Sequence, residues 1–421
     1  MDLVLEGRFF IDGELKQTAV GIEDGKIVTV GKIVRGGDER IDLGNKIAFP
    51  GFIDPHVHFR DPGLTHKEDF ASGTMSALHG GVTCVLDMPN TAPPVTDVKT
   101  ILEKKGAIHN KAFVDYGLFA ALTPDAKIDQ MQKHVAGFKL FMGSTTGNIL
   151  MNDDREIEYL MSDIYRSGKV LSVHAEDDSM ISKTEERSNM DHLRNRPLEA
   201  EHNAVRRLMR YRGMKINICH VTDAVTADMA ASCGFTTEVT LHHIEFGAEK
   251  VEGTEYKVNP PIRTLNIRDG LRKAVSLGKI TMFGTDHAPH AHSEKLQEYS
   301  AAPGGMTSVE IMIPILMKRM MEGKFNLALL GRMGSENPGR TFGMNKGKIA
   351  VGYDADFAIF DTKNISVVDP DKLHSKSNFT PYAGLEAIFP DTVMIRGNIQ
   401  IQDGEYCGKN IGADIVESGR H

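Results

Sequence analysis

The sequence contains few cysteines and no long apolar run. Cys84, Cys219, Cys233 and Cys407 are its only cysteines, and none forms the Cys-x-x-Cys pair of a zinc knuckle or thioredoxin-type site. So few thiols in 421 residues are typical of a reducing compartment. The acidic N-terminal segment lacks a signal peptide's apolar core, and no run approaches the roughly 20 apolar residues that span a bilayer. We therefore expect a cytoplasmic protein with no membrane partner.

Positive charge is also in short supply. The chain has 49 Lys and Arg against 57 Asp and Glu, a formal net charge of -8. Such a field repels phosphate backbones, which argues against a general nucleic-acid partner and leaves room only for a local basic pocket. The hydrophobic share of 41% and the charged share of 25% are typical of a globular chain with a large core.

The two ends of the chain are rich in strand and turn signals. Alternating apolar residues surround four turns, at Asp12-Gly13, Asp24-Gly25, Gly397 and Asp403-Gly404. We predict that residues 1–50 and 345–421 together form a small β-sandwich domain.

The middle of the chain, residues 51–344, repeats a short apolar strand followed by a helix-length segment. The predicted strands cover residues 48–53, 82–87, 112–121, 136–142, 169–173, 215–219, 235–241 and 280–284. Helical patterns between them include residues 68–79, 155–166, 198–211 and 224–231. Eight such units predict an α/β fold, a closed (β/α)₈ barrel of the TIM type. The longest irregular stretch, 287–303, follows the eighth strand and is therefore expected at the mouth of the barrel.

Active sites of such barrels lie where the strands end, so the residues at those positions carry the functional prediction. Chemically active side chains stand at or near the ends of six strands: His56, His58, Arg60, Asn90, Lys139, His174, His220 and Asp286. Four imidazoles, a lysine and a carboxylate should therefore converge on one mouth.

This set of residues predicts two metal ions. His56 and His58 are two apart, so on an extended strand both face one side and can bind one ion. Imidazole and carboxylate suit Zn²⁺, and the set exceeds what a single catalytic zinc needs. The ammonium group of Lys139 would be repelled by two dications, so we expect it to lose its charge. Carboxylation by CO₂ would turn Lys139 into an anionic bridge between the metals.

Each of these residues, taken alone, is more often an ordinary core or surface residue than a ligand, and only their joint placement reverses that reading. His242 and His243, at the end of the seventh strand, are ambiguous, and indirect support of the site or core packing fits them better than ligation. Seven histidines fit no strand end and are interpreted as structural: His66, His79, His109, His134, His192, His202 and His374.

Over nearly its whole length the chain resembles the amidohydrolase superfamily and, within it, the dihydroorotases. The resemblance is carried by four segments: Pro50-Gly-Phe-Ile-Asp-Pro-His-Val-His-Phe-Arg-Asp-Pro-Gly63, Met88-Pro-Asn-Thr91, Phe138-Lys-Leu-Phe-Met142 and Gly284-Thr-Asp-His-Ala-Pro-His290. It implies a barrel with a small β-sandwich built from both termini. It also implies a binuclear centre with a carboxylated lysine, which is the type that Phe138-Lys139 favours over an aspartate bridge.

The resemblance implies a role for each candidate residue. His56, His58 and Asp286 would bind the more buried of two Zn²⁺ ions, His174 and His220 the other, and carboxylated Lys139 would bridge them. Arg60, Asn90 and His290 would hold the substrate carboxylate. Asn259, Gly304 and Gly305 match segments that contact the pyrimidine ring, although many members carry a larger residue where Gly304 stands.

The implied reaction is the reversible cyclisation of N-carbamoyl-L-aspartate to dihydroorotate and water, a step of pyrimidine biosynthesis. Arg60 supports a carboxylate-bearing substrate independently, because arginine suits bidentate carboxylate recognition; a surface salt bridge is the alternative. Asp286 would move the proton between the attacking water and the ring nitrogen. The loop 143–148, with Ser144, Thr145 and Thr146, either closes over the substrate or is an ordinary polar loop.

Two other functions stay open at this point. One is an allantoinase or dihydropyrimidinase, whose simplest substrates need no arginine. The other is a non-catalytic dihydroorotase-like partner of aspartate carbamoyltransferase, which would be expected to lack metal ligands. Association with that enzyme and a homodimer are further expectations.

Overall fold

The computed structural model describes residues 1–145 and 149–419. Its centre is a sheet of eight strands: β5 (Phe52–Val57), β6 (Val82–Asp87), β7 (Asp115–Ala121), β8 (Gly137–Phe141), β9 (Val170–His174), β10 (Ile216–Ile218), β11 (Thr236–Val239) and β12 (Met282–Phe283). All neighbours in this sheet are parallel and follow chain order. A parallel bridge between Val57 and His287 joins its two edges, where the His58 amide donates to the His287 carbonyl at 2.8 Å. The predicted barrel is confirmed.

The connecting segments are helical. The helices are α1 (Phe70–His79), α2 (Val98–Ile108), α3 (Ile128–Met131), α4 (Asp154–Ser167), α5 (Asn189–Asn195), α6 (Leu198–Leu208), α7 (Ala224–Ser232), α8 (Leu241–Glu245), α9 (Leu265–Ser276), α10 (His292–Lys295), α11 (Met312–Met321), α12 (Leu327–Gly331) and α13 (Asn337–Thr341). Short 3₁₀ or π turns cover Asp178–Met180, Met209–Tyr211, Ala248–Lys250, Thr254–Tyr256, Arg332–Glu336 and Pro370–Lys372. Side chains of Asp69, Asp97, Asp153 and Asp223 accept amide hydrogens at the starts of α1, α2, α4 and α7. These caps satisfy amides that the helices leave unpaired.

Strands from both ends of the chain form a second sheet. They are β1 (Leu3–Ile11), β2 (Glu14–Glu23), β3 (Lys26–Gly31), β4 (Glu39–Pro50), β13 (Phe357–Phe360), β16 (Thr392–Ile395), β17 (Asn398–Gln402) and β18 (Glu405–Tyr406). Hydrogen bonds join them continuously in the order β18-β17-β16-β13-β4-β1-β2-β3, and the sheet has its own apolar core. A separate pair consists of β14 (Ser366–Val367) and β15 (Glu386–Ala387).

The predicted turns lie where the hairpins of the second sheet reverse. Asp12 and Gly13 have φ of 56° and 91°, and Asp403 and Gly404 have φ of 53° and 80°. Positive φ at both central residues matches the twist of a tight hairpin, which is why Asp-Gly is favoured there. The hairpin predictions at both ends of the chain are confirmed.

The bounds predicted for the first barrel strand, 48–53, were wrong. Ala48 pairs with Ile359 and Pro50 with Phe357, so these residues end β4 of the terminal sheet. The barrel strand begins only at Phe52. Gly51 separates the two, because a Cβ there would lie 2.1 Å from Thr83 Oγ1. An unbroken apolar run hides such a change of sheet, and the correction places His56 inside the strand.

The largest apolar cluster packs the barrel strands against the surrounding helices and against part of the terminal sheet. No helix in the described part of the chain is long and apolar enough to cross a membrane.

Candidate active site

His56, His58 and Asp286 form one group at the mouth of the barrel. His58 Nε2 lies 3.0 Å and His56 Nε2 3.4 Å from the same oxygen, Asp286 Oδ1. All three side chains are largely buried. Asp286 follows the short strand β12 with φ of 50°, a left-handed conformation that is uncommon for a residue with a side chain. Three metal-type donors therefore face a single point.

His174 and His220 form a second group beside the first. His174 Nδ1 lies 3.1 Å from His220 Nε2, and both rings are buried. The ring centroids of His220 and His56 are 5.4 Å apart, which places the two groups next to each other. His174 ends β9, and His220 follows β10 with φ of 38°.

Lys139 lies in β8 and is fully buried. Its ammonium nitrogen is 2.9 Å from Cys219 Sγ and has no carboxylate within ion-pair distance among the described residues. Cys219 lies close to His56 in turn, because its Sγ and a ring nitrogen of His56 are within 4.8 Å of each other. Lys139 also influences the titration of His56, His174 and His220. The structure thus brings all six predicted ligands together.

Three side chains orient these histidines by contacting the ring nitrogen that points away from the proposed metal positions. Glu238 Oε2 lies 2.8 Å from His56 Nδ1, Asn90 Oδ1 2.7 Å from His58 Nδ1, and Glu176 Oε2 2.9 Å from His174 Nε2. A partner on one ring nitrogen sets which nitrogen of a histidine is left for a metal. His174 therefore presents Nδ1, whereas His56 and His58 present Nε2.

Sequence reasoning missed Glu238 and Glu176. Each left a signal: Glu238 is a carboxylate inside the buried strand β11, and Glu176 stands two residues after His174. Gly284 makes room for the first, because a Cβ there would lie 2.8 Å from Glu238 Oε2. Asn90, predicted to bind substrate, is placed by the structure against His58.

The electrostatics of the mouth favour a bound cation. Burial lowers the pKa of His58 to about 3 and lowers those of His174 and His220, which keeps these rings neutral. Although burial alone would raise it, His56 and His58 hold the pKa of Asp286 well below its usual range. Burial and Lys139 lower the pKa of His56, but Glu238, Cys219 and Asp286 outweigh them and raise it to about 10. The same negative charges that stabilise a proton on His56 would stabilise a metal ion in its place, because a metal ion displaces protons from its ligands.

The donor set fits a metal centre on a further observation. The buried Nδ1 of His220 has no hydrogen-bond partner among the described residues, and neither does the buried Oε1 of Glu176. Unpaired buried polar atoms are costly, so their presence beside four imidazoles and a carboxylate indicates a ligand. Imidazole nitrogen and carboxylate oxygen are the donors that suit a catalytic divalent transition metal.

Arg60 lies buried beside the metal-type residues with no carboxylate at ion-pair distance in the described part of the chain. Its Nε donates to the Pro289 carbonyl at 3.3 Å, and its Nη2 lies 3.4 Å from His290 Nε2. Burial lowers the pKa of Arg60 to about 10, so its side chain stays charged at neutral pH. A buried guanidinium without an acid is unusual, because its charge is expensive to desolvate.

The tautomer of His290 follows from its neighbours. Lys67 Nζ, at 3.2 Å, can only donate to Nδ1, so Nε2 carries the hydrogen and donates to the Gly304 carbonyl at 3.1 Å. Burial, followed by the charges of Arg60 and Lys67, strongly lowers the pKa of His290, which keeps the ring neutral. The Arg60 guanidinium therefore has donors left for an anion, whereas the one N–H of His290 is used by the Gly304 carbonyl and would reach the same anion only in exchange for that contact.

The residues predicted to contact a ring lie together near His290. A Cβ on Gly304 would lie 3.2 Å from Asn259 Nδ2, and the Gly305 amide donates to the Lys257 carbonyl at 2.8 Å. The buried Oδ1 of Asn259 has no partner among the described residues. Gly305 has φ of +140°, and a Cβ there would lie 2.4 Å from the Ala288 carbonyl, so only glycine fits.

Other predicted features at the mouth are placed as follows. Residues 146–148 of the loop 143–148 lie outside the described residues, and the Ser144 amide donates to Asp178 at 2.8 Å. His243 is held by Thr240 and the Pro260 carbonyl at 2.8 and 3.0 Å, which is a structural arrangement. His242 is fully buried, and neither ring nitrogen has a partner among the described residues.

Comparison with known proteins agrees with this geometry. A profile described as "Amidohydrolase family" matches residues 47–400. Curated relatives named dihydroorotase are similar over almost the whole chain. The protein from Methanosarcina mazei is 33% identical, covering 93% of this chain and 92% of its own. The one from Methanothermobacter thermautotrophicus is 34% identical, with 96% and 95% covered, and the one from Thermoplasma acidophilum is 32% identical, with 99% and 98% covered.

Solved structures share the fold. The L-hydantoinase (dihydropyrimidinase) from Arthrobacter aurescens has a TM-score of 0.91 at 24% identity, with 98% of each chain covered. A dihydropyrimidinase from Brevibacillus agri has a TM-score of 0.89 at 24% identity, covering 99% of this chain and 98% of its own. The family profile spans the barrel and all of the site residues described above, and the full-length relatives exceed 30% identity. The chain belongs to the amidohydrolase family.

Proposed function

We propose that this protein is a dihydroorotase, which interconverts N-carbamoyl-L-aspartate and dihydroorotate with release or uptake of water. The observation that carries the proposal is the buried Arg60, which has no acidic partner among the described residues and lies beside the metal-type cluster. A substrate carboxylate would supply the missing anion. The names of the curated relatives support the same substrate.

His56, His58 and Asp286 would hold one divalent metal ion, and His174 and His220 a second, both of which we propose to be zinc. Lys139, carboxylated by CO₂, would bridge them, because a carbamate is stable there where an ammonium group beside two cations is not. When bound, the metals would polarise the ring amide carbonyl and make water a stronger nucleophile at neutral pH.

The chain's own residues orient the substrate and move the proton. Arg60 and His290 hold the carboxylate, while Asn259 and the backbone around Gly304 border the ring. In hydrolysis the Asp286 carboxylate accepts the proton of the attacking water and delivers it to the leaving ring nitrogen. In ring closure Asp286 takes that proton from the ureido nitrogen. The low pKa of Asp286 keeps its carboxylate ionised at neutral pH.

The test is turnover of dihydroorotate by metal-replete protein, with allantoin and dihydrouracil as competing substrates. We expect dihydroorotate to be preferred. Preference for either uncharged ring would favour an allantoinase or dihydropyrimidinase instead. Protein that binds metal but turns over none of the three would also contradict the proposal.

A second measurement tests the lysine bridge. Lys139→Ala should lower the metal content, and a short carboxylic acid added to the variant should restore part of both metal and activity. Unchanged metal stoichiometry in the variant would rule out the bridge. A wild-type protein that binds no metal would instead favour the non-catalytic, dihydroorotase-like partner of aspartate carbamoyltransferase. Location in the cytoplasm and a homodimer remain part of this proposal.

A further inference from the structure

The buried lysines of this protein fall into two groups. Seven lysines are buried: Lys67, Lys104, Lys139, Lys257, Lys295, Lys318 and Lys346. Five form ion pairs with carboxylates. Among the described residues Lys139 and Lys295 have no such partner, and both lie at the mouth of the barrel. An ammonium group buried without an acid is expensive, which suggests that Lys295 has a function there.

Lys295 ends α10, in the loop that follows the eighth barrel strand, and is 3% exposed. Its Nζ donates to three backbone carbonyls, Gly305 at 2.9 Å, Pro303 at 3.0 Å and Lys257 at 3.5 Å. An ammonium group has three hydrogens, so three carbonyls can use all of them. The positive charge is balanced by backbone dipoles rather than by an acid.

Those carbonyls belong to two segments that border the proposed substrate. Pro303 and Gly305 flank Gly304, and Lys257 precedes Asn259 by two residues. The Gly305 amide also donates to the Lys257 carbonyl, so one side chain joins segments that already share a backbone hydrogen bond. The carbonyl of Gly304 itself accepts from His290. The Lys295 ammonium group thus links the segments around Asn259 and Gly304, which we expect to contact the substrate ring, to His290, which we expect to contact the substrate carboxylate.

We propose that Lys295 is a positioning residue that holds segments 257–259 and 303–305 in the arrangement that binds dihydroorotate. The proposal rests on the proposed function for the identity of the substrate. Removal of the ammonium group takes this donor from the Pro303 and Gly305 carbonyls and leaves the Lys257 carbonyl with the Gly305 amide alone, so the two segments are held together less firmly. Because the metal ligands are not touched, substrate affinity should change more than the chemical step.

Other charges around Lys295 bear on its protonation. Lys257 directs its own ammonium group to the Tyr299 carbonyl at 2.7 Å and to Glu186 at 3.1 Å, and Glu255 acts weakly on Lys295. The neighbouring His290 is neutral. Burial and then the charge of Lys257 lower the pKa of Lys295 to about 7. The positioning contact should therefore weaken as the pH rises above 7, and KM should rise with it.

The experiment compares Lys295→Met with wild type and with Lys318→Met as a matched control. Lys318 on α11 is also buried, but it pairs with Glu322, which directly follows α11, and with Glu386 of β15. With metal-replete proteins we expect Lys295→Met to raise the KM for dihydroorotate at least tenfold while kcat changes less than threefold. The control should keep the wild-type KM. In Lys295→Ala, added propylammonium should restore part of the affinity, and propanol should not.

A second readout needs neither activity nor a folded variant. Hydrogen exchange of the Gly305 amide in wild-type protein should become faster between pH 6 and pH 8 than the intrinsic pH effect explains, with peptides of the barrel strands as reference. An unchanged KM in Lys295→Met or an equal fall in kcat would overturn the positioning role, and exchange that follows only the intrinsic pH effect would overturn its expected loss above pH 7. If wild-type protein turns over another cyclic amide instead of dihydroorotate, the proposed function fails, and the same KM comparison on that amide still tests Lys295.

Discussion

Two clusters of buried charged and polar groups lie at opposite ends of the barrel. They differ in whether the protein itself supplies a partner for each buried group. At the foot, the Lys346 ammonium nitrogen lies 2.7 Å from Asp115, 2.9 Å from Asp354 and 2.7 Å from Asp356. Asp115 begins β7, and Asp354 and Asp356 directly precede β13, so this cluster joins the barrel to the second sheet. Three acids that could hold a metal ion hold a lysine instead.

At the mouth, several buried polar and charged groups lack such a partner. The described residues leave His220 Nδ1, both nitrogens of His242 and Asn259 Oδ1 unpaired, and Arg60 has no acid. A cluster that satisfies itself stabilises the fold, whereas one that leaves buried groups unpaired requires a ligand. The comparison separates a structural cluster of acids from a functional cluster of similar burial.

The largest expected effect is on catalysis at the mouth. Asp286→Asn removes the proton acceptor while keeping the shape of the side chain, and kcat should fall about 10³-fold, within the range for loss of an acid–base group. Steady-state kinetics at matched metal content measures this. Full turnover by a metal-loaded variant would show that Asp286 does not carry the proton.

The corresponding change at the foot should affect stability alone. Lys346→Met leaves three buried carboxylates without their shared cation, and the free energy of unfolding should fall by about 3–5 kcal/mol, as for a broken buried ion pair. Urea unfolding measures it. Lys26→Met is the control, because Lys26 is partly exposed and, within the described ranges, forms an ion pair with Asp354 alone, so its loss should cost under about 1 kcal/mol. A loss of activity in folded Lys346→Met would contradict a purely structural role for the cluster at the foot.

Arg60→Met tests whether the mouth is built for a carboxylate. The kcat/KM for dihydroorotate should fall about 100-fold, because a charged hydrogen bond contributes about 1.5–3 kcal/mol. Dihydrouracil, which lacks the carboxylate, provides the internal control and should lose no more than a few-fold. An equal loss on both substrates would mean that Arg60 supports the site without recognising the anion.

Glu238→Gln should weaken metal binding about 10- to 100-fold, because Glu238 orients His56 and makes it a better donor. Competition with a chelator measures the affinity. Asp356→Asn, which changes an equally buried acid at the foot, should leave metal affinity as it is. Equal effects of the two substitutions would argue against a specific role for Glu238.

The smallest expected effect is the pH dependence of the foot. Burial alone would raise the pKa of Asp115, but the charges of Lys346 and Arg396 outweigh burial and bring the pKa below its usual value of 3.8. Its folded-state pKa is thus below the unfolded one, so the stability it contributes is present above about pH 4 and is lost on further acidification. In Lys346→Met the carboxylates lose their cation and are protonated at higher pH. The stability gap to wild type should therefore narrow by about 1–2 kcal/mol between pH 7 and pH 4. A constant gap in urea unfolding would contradict the assignment.

Residue types and their spacing were enough to predict the barrel, the terminal strands and the convergence of His56, His58, Lys139, His174, His220 and Asp286. The bounds of each apolar run show which end of a strand a residue occupies, the period of two shows which face it points to, and parallel strands bring their C-terminal ends to one mouth. This local information needs no knowledge of packing.

Tertiary structure alone decided which side chains support those residues. Glu238 lies 182 positions from His56 in the chain, and Lys295 meets carbonyls on two separate segments, so no local pattern encodes either contact. The boundary at Gly51 was missed for the same reason, since the residue that excludes a side chain there is Thr83, on another strand. Local spacing determines which groups reach the mouth, whereas the packing of distant segments determines how each group is held and which are left unpaired for a ligand.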